Sequence, residues 1–323
     1  MATINYSIII PHYNIPHLLD RCLQSIPVRE DVQVIVVDDC SEEVHLKQVK
    51  ELEKEHSTVH FVYSPINGGG GKARNIGMSY AKGKFLIFAD ADDFFFDGFS
   101  EVLDKYKNSP EDILYFRNYN VLSDNCNIFI DHTKWIDDIL DRHIQTQDFG
   151  EITCRIFNPW AKFYKKNFID EHNIHFDETP VSNDVFFVVS AACSARSRRV
   201  FPEVIYFYTE RKDSTTASYA KRTEELSIRM EVCFRAQKVM KHYGYKINSM
   251  PMSYFMFRAY RSDISLYREY LKKTPEIYDS LWDALFQIRC FIYDYKEKLE
   301  LYTRSILWWL KELIKSEKFI FSI

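Results

Sequence analysis

Four short apolar runs, each closed by a polar cluster, constrain this chain more than any other feature in it. They occupy residues 6–10, 32–37, 60–63 and 85–89. Unbroken apolar runs of that length belong to strands buried on both faces, as in parallel sheets. Helical patterns lie between them. Leu18, Leu19, Cys22, Leu23 and Ile26 fall at helical spacing, 44–56 carries Val49 and Leu52 on one face, and 73–81 forms a third. Strands alternating with helices imply right-handed βαβ units and an α/β, Rossmann-like, mostly parallel sheet flanked by helices. Such sheets bind ligands beyond the carboxyl ends of their strands. Here those ends carry Pro11-His12-Tyr13-Asn14, Asp38-Asp39, Asn67 with four glycines, and Asp90-Ala91-Asp92-Asp93.

The alternation stops near residue 110. Segments 113–117 and 200–208 read as further strands, 185–193 as a buried helix, and the pattern is helical from about 223 onward. The expected organisation is an α/β domain over 1–220 and a helical C-terminal region over 221–323.

Composition removes several classes. With 42 basic and 46 acidic residues and a net charge of -4, the chain has no nucleic-acid signature. Its seven cysteines include no C-x-x-C pair and are odd in number, which points to a reducing compartment. The N-terminus lacks a signal-peptide pattern, and no apolar run approaches the length needed to span a membrane. The expected location is the cytoplasm.

Three carboxylates within four residues at Asp90, Asp92 and Asp93 repel one another unless a cation or donors compensate. At a strand end they suit Mg²⁺ or Mn²⁺, with phosphate oxygens and water completing the shell. The competing reading is a solvated turn or helix cap. Asp38-Asp39 offers one carboxylate for a ribose or base and one for a capping turn. Tyr13 at the first strand end can stack on a base or merely pack. Asn67-Gly68-Gly69-Gly70-Gly71-Lys72 lacks both phosphate-loop spacings. It reads as a flexible approach of backbone N–H groups to an anion before a helix beginning near Ala73, with Lys72 and Arg74 adding charge.

The series Ser7-Ile-Ile-Ile-Pro-His-Tyr-Asn14, Val36-Val-Asp-Asp-Cys-Ser41, Asn67-Gly-Gly-Gly-Gly-Lys-Ala-Arg-Asn-Ile-Gly77 and Phe88-Ala-Asp-Ala-Asp-Asp93 resembles the inverting family 2 glycosyltransferases of bacterial polysaccharide type. The resemblance implies a GT-A fold and a nucleotide-sugar donor, with UDP favoured. It implies that Pro11, Tyr13 and Asp39 hold the nucleoside and that Arg74 lies near base and diphosphate. Asp92 would hold ribose and metal, with Asp93 and Asp90 as the other candidate metal ligands. It further implies a catalytic base across the sugar, for which Ser182-Asn183-Asp184 is the match. Asn183 stands where the family has Glu, and Asp184 is the expected base, with Glu178 its nearest rival on the acceptor side. Trp160, in Asn158-Pro159-Trp160-Ala161-Lys162, is a candidate for stacking on an acceptor sugar or for burial. Arg211 to Thr216 resembles a loop that closes on the diphosphate.

The segment 304–323 mixes aromatic and aliphatic residues with lysines at helical spacing. That suits a helix lying in a membrane interface, as an enzyme using a lipid-linked acceptor would need. Packing on its own domain, or on a second copy in a homo-oligomer, is the competing reading. Two other functions stay open: a non-catalytic carbohydrate- or nucleotide-binding protein on the same fold, and a nucleotidyltransferase. The latter would want its glycine-rich loop after the first strand rather than the third.

Overall fold

A computed structural model describes residues 3–211, 225–245 and 252–278. The first half runs β1 (Tyr6–His12), α1 (Pro16–Gln24), β2 (Val32–Asp38), α2 (Glu43–Glu55), β3 (His60–Tyr63), α3 (Gly69–Tyr80) and β4 (Phe85–Phe88). It continues with β5 (Phe94–Phe95), α4 (Phe99–Tyr106), β6 (Ile113–Leu122), β7 (Asn125–Phe129), α5 (Lys134–Thr146) and α6 (Gly150–Arg155). Then come β8 (Lys162–Lys165), α7 (Lys166–Glu171), α8 (Val185–Ser194), β9 (Arg198–Glu210), α9 (Leu226–His242), α10 (Met252–Ser262) and α11 (Ile264–Lys273).

The sheet order is β3-β2-β1-β4-β8-β6-β9-β5, with β7 paired to β6. The four predicted strands form its parallel half, with Ile8 opposite Val34 on one side and Ile87 on the other. Beyond β4 the sheet is mixed. β8 runs antiparallel to both β4 and β6, while β9 runs parallel to β6. The expectation of a mostly parallel sheet therefore holds for the half read from strand-helix alternation. Beyond it, a four-residue strand with a lysine at each end is inserted antiparallel between β4 and β6, which makes the whole sheet mixed. Pro202 falls where the β6–β9 register shifts, since it has no N–H to donate to the ladder.

Burial follows the apolar pattern. Ile8, Ile9, Ile10, Ile35, Val36, Val37 and Phe85 to Phe88 are fully buried, and each such side chain contributes about 1.5–3 kcal/mol of hydrophobic stabilisation. Phe88 on β4 meets Phe176 and Phe187 edge-on at 4.9 and 5.3 Å, and those two rings stack at 4.0 Å. This cluster fixes the start of α8 beside the turn that follows β4.

The glycine run is not a flexible loop before a helix at Ala73. It is the first turn of α3, which begins at Gly69. A Cβ at Gly71 would lie 1.9 Å from the carbonyl oxygen of Asp177 and 2.9 Å from Cβ of Asn183, so the helix can approach that segment only with glycine there. Gly71→Ala is expected to cost about 1–3 kcal/mol through overpacking, read as a lower urea midpoint with unchanged slope.

A second apolar cluster joins α9, α10 and α11 through Met230, Phe234, Phe255, Met256 and Tyr270 to Val189 and Cys193 of α8. The described C-terminal residues are thus helical, as expected. No helix among the described residues is long and apolar enough to cross a membrane. The segments 212–216 and 304–323 lie outside the described residues.

Candidate active site

The carboxyl ends of β1, β2 and β4 meet as the alternation requires. At the end of β1, Pro11 is half-buried and Tyr13 is 45% exposed. His12 donates from Nδ1 to Asp38 at 2.8 Å and accepts at Nε2 from the Ile15 N–H at 3.1 Å. Asp38 also accepts from the N–H and hydroxyl of Ser41. Burial pushes the Asp38 carboxyl up, but the His12 and Ser41 hydrogen bonds outweigh it and hold it below its ordinary value. Asp38 is therefore the capping-turn residue of the pair. Asp39, also buried, accepts from the N–H groups of Gly68 and Gly69 at 2.9 and 2.6 Å. It ties the second strand end to the glycine turn, and each oxygen keeps a lone pair for a further donor.

The three aspartates after β4 diverge. Asp90 accepts from Arg74 Nη2 at 2.5 Å. Asp92 accepts from Arg211 Nε at 2.9 Å. Asp93 is 1% exposed and turned inward, accepting from the Tyr206 hydroxyl and the Thr209 N–H, both at 2.7 Å. Tyr206 in turn accepts from the Asp90 N–H at 2.9 Å and so closes the turn. Burial raises the Asp92 carboxyl, the charge of Asp90 adds to the rise, and Arg211 opposes it. Burial, then Asp92 and Asp90, raise Asp93 well above its ordinary value.

Across the site, Asp184 is the N-cap residue of α8, yet its side chain makes no capping hydrogen bond. The capping alternative for that carboxylate is thus removed. Ser182, at φ 55°, turns the chain into the helix. Asn183 accepts from Arg74 Nη1 at 3.1 Å, so one guanidinium spans the aspartate turn and the residue beside Asp184. Arg74 also lies over the Phe176 ring at 5.3 Å, and its Nε has no partner among the described residues. Burial raises the Asp184 carboxyl, Arg74 opposes this, and Asp90 adds to it.

Of the two acceptor-side candidates, Trp160 is corrected in its stacking role by burial. Trp160 is 6% exposed and stacked against Tyr206 and Tyr208 at 5.3 and 5.5 Å, so its ring is core and offers no face to a sugar. Glu178 is exposed and accepts from Asn75 Nδ2 on α3, while Asp184 is next in sequence to Asn183, the partner of Arg74. Lys162, from the same segment as Trp160, is buried and donates to the carbonyls of Asn158 and Trp160. Burial lowers its ammonium to about 7, with Asp184 opposing.

Tyr206, Thr209 and Arg21 escaped the sequence reading although all three hold the aspartate turn. Nothing local to the turn signals them, because their separations run from 71 to 117 residues.

Among the described residues no three His, Cys, Asp or Glu side chains converge on one point. Of the expected set of Asp90, Asp92 and Asp93, burial and two donors turn Asp93 inward in this structure. What remains still fits Mg²⁺ or Mn²⁺. Asp92 with Asp90 supplies hard oxygen donors, and their mutual repulsion is relieved by a cation. Such ions are commonly held by one or two carboxylates plus substrate phosphates rather than by an all-protein cage.

Comparison with known proteins gives the family and the fold. The family model described as Glycosyl transferase family 2 matches residues 7–205. The glycosyltransferase EpsJ of Bacillus subtilis (strain 168) is 24% identical over 216 residues, covering 65% of this chain and 62% of that protein. The poly(ribitol-phosphate) beta-N-acetylglucosaminyltransferase TarS of Staphylococcus aureus (strain MW2) is 23% identical over 229 residues, covering 67% of this chain and 37% of TarS. The match thus spans less than two thirds of the length of either relative. Among solved structures, S. aureus TarS 1-349 in complex with UDP-GlcNAc aligns with a TM-score of 0.58 at 19% identity, over 88% of this chain and 82% of that one. A mannosyltransferase from Pyrobaculum calidifontis in complex with GDP-Man and Mn²⁺ aligns at 0.55 and 15%, over 98% and 87%. These likenesses show the fold, which is GT-A. With the family model covering more than half of the chain and its strand-end motifs gathered at one edge of the sheet, the chain belongs to glycosyl transferase family 2.

Proposed function

We propose that this glycosyltransferase moves a sugar from a nucleotide-sugar, a UDP-sugar in the first instance, to a hydroxyl of a glycan or lipid-linked acceptor, with inversion, in cell-surface polysaccharide synthesis. The observation that carries it is the Arg74 bridge: Asp90 on one side and Asn183, next to Asp184, on the other. Donor turn and base thus stand one side chain apart, as a single displacement needs. Pro11, Tyr13 and Asp39 form the nucleoside end, Asp92 the ribose and metal end, and Arg74 and Arg211 the cationic flanks of the diphosphate. UDP-GlcNAc in the TarS structure supports UDP, and GDP-Man with Mn²⁺ in the mannosyltransferase supports a divalent cation at Asp92. When bound, that cation stabilises negative charge on the departing diphosphate.

In the chain's own part of the chemistry, Asp184 takes the proton of the acceptor hydroxyl as its oxygen bonds to the anomeric carbon. The bond from that carbon to the diphosphate oxygen breaks on the opposite face, and the configuration inverts. The arginines hold the leaving group and offset its charge. Residues 1–220 would carry this work. Segment 304–323 would contact either the inner face of the cell membrane or a second copy of the chain in a homo-oligomer.

Asp184 must be ionised to act. Burial raises its carboxyl, so the rising limb of kcat/KM against pH is expected above the ordinary carboxylate range. A limb at or below pH 4 would remove Asp184 as the base. The broader test is release of nucleoside diphosphate from UDP-, GDP- and dTDP-sugars with Mn²⁺. No release from any donor, with or without acceptor, would favour the non-catalytic binding protein, for which the neutral Asn183 is the one supporting feature.

A further inference from the structure

Arg21 lies on α1, and nothing in the sequence marks it. Its guanidinium joins three segments at the base of the aspartate turn. Nη2 donates to the Asp92 carbonyl at 2.5 Å, and more weakly to Ser123 Oγ at 3.3 Å and Thr209 Oγ1 at 3.4 Å. Nη1 donates to the Ser123 carbonyl at 3.0 Å and Cys126 Sγ at 3.4 Å. The group sits 5.3 Å from the centre of the Phe94 ring. Thr209 completes the arrangement, donating from its hydroxyl to the same Asp92 carbonyl at 2.6 Å and from its N–H to Asp93.

We propose that Arg21 is a positioning residue for Asp92. A turn bearing three carboxylates relaxes by rotating its peptide planes so that the charges point apart. Two donors on the Asp92 carbonyl oppose that rotation, while Asp93 is held inward by Tyr206 and Thr209. Asp92 is thereby left as the carboxylate presented to Arg211 and to the donor. Only arginine does this from α1, because its planar fork reaches the Asp92 carbonyl and Ser123 at once, which a single ammonium cannot. The same fork links the β6–β7 turn to the site.

The proposal rests on the reading of Asp92 as the donor and metal carboxylate, and its test separates the two. In the full chain, Arg21→Met and Arg21→Lys are compared with wild type by three measurements. The first is Mn²⁺ binding with UDP present, followed by the electron paramagnetic resonance of free Mn²⁺. The second is UDP affinity without metal, and the third is thermal unfolding. Arg21→Met is expected to weaken Mn²⁺ binding by about tenfold or more, in the range seen when outer partners of metal ligands are removed. UDP affinity without metal stays within about twofold, and Arg21→Lys recovers part of the loss. Thr209→Val removes the second donor to the same carbonyl and shifts Mn²⁺ binding in the same direction, so it carries the test if Arg21→Met does not fold. Unchanged Mn²⁺ binding in the folded variants overturns the positioning role alone. Failure of the wild type to bind Mn²⁺ with UDP takes down both this role and the reading beneath it.

Discussion

Asp92→Asn is expected to reduce kcat/KM for donor turnover on the order of a thousandfold while leaving the fold intact. That factor corresponds to about 4 kcal/mol of lost transition-state stabilisation. The fold is spared because the structural contacts at this position come from the main chain: the Asp92 carbonyl accepts from Arg21 and Thr209, and an asparagine keeps it. What is lost is carboxylate charge facing Arg211. Asp93→Asn supplies the contrast. Its buried carboxylate accepts from the Tyr206 hydroxyl and the Thr209 N–H, so an amide there sets a donor against a donor at about 1–3 kcal/mol of stability. Thermal unfolding with donor hydrolysis distinguishes the two, with the melting temperature falling for Asp93→Asn and holding for Asp92→Asn. Activity within tenfold of wild type in Asp92→Asn would move the metal and ribose site elsewhere.

Asp184→Asn is the second large effect. Removal of a general base lowers kcat by about 10²–10⁴. Titration calorimetry with UDP and Mn²⁺ should return an affinity within about twofold of wild type, because Arg74 reaches Asn183 and Asp90 and makes no hydrogen bond to Asp184. A tenfold loss of UDP affinity would place Asp184 on the donor side and sink its assignment as base.

The parallel half of the sheet was legible because its strands are apolar on consecutive positions, and only strands buried on both faces tolerate that. In the far half, β6, β9 and α8 were legible as elements, but the short strands β8 and β5 were not. β8 is a four-residue strand with a lysine at each end, and β5 has only two residues, so neither carries a periodicity. The glycine run was misread for a different reason. Four glycines in sequence suggest freedom, whereas here the close approach of the Asp177 carbonyl dictates at least Gly71. Asp90, Asp92 and Asp184 were singled out by spacing and resemblance. Their division of labour was not, because partners brought by β9 and α1 decide it: Tyr206 turns Asp93 inward and Arg211 faces Asp92. Trp160 shows the same limit, since its two tyrosine neighbours lie about 46 residues away along the chain.

The insertion of β8 between β4 and β6 has a mechanical consequence. Because β8 is hydrogen-bonded on both flanks, the strands carrying the donor turn and those carrying its far supports belong to one uninterrupted ladder. Two-lobed enzymes shut a cleft by swinging rigid bodies about a hinge. A hinge across this ladder would have to break hydrogen bonds in a close-packed interior. Any closure over a bound sugar would therefore fall to side chains and short segments rather than to the sheet. The sheet beneath the aspartate turn is thus one continuous support, with no joint between its two halves.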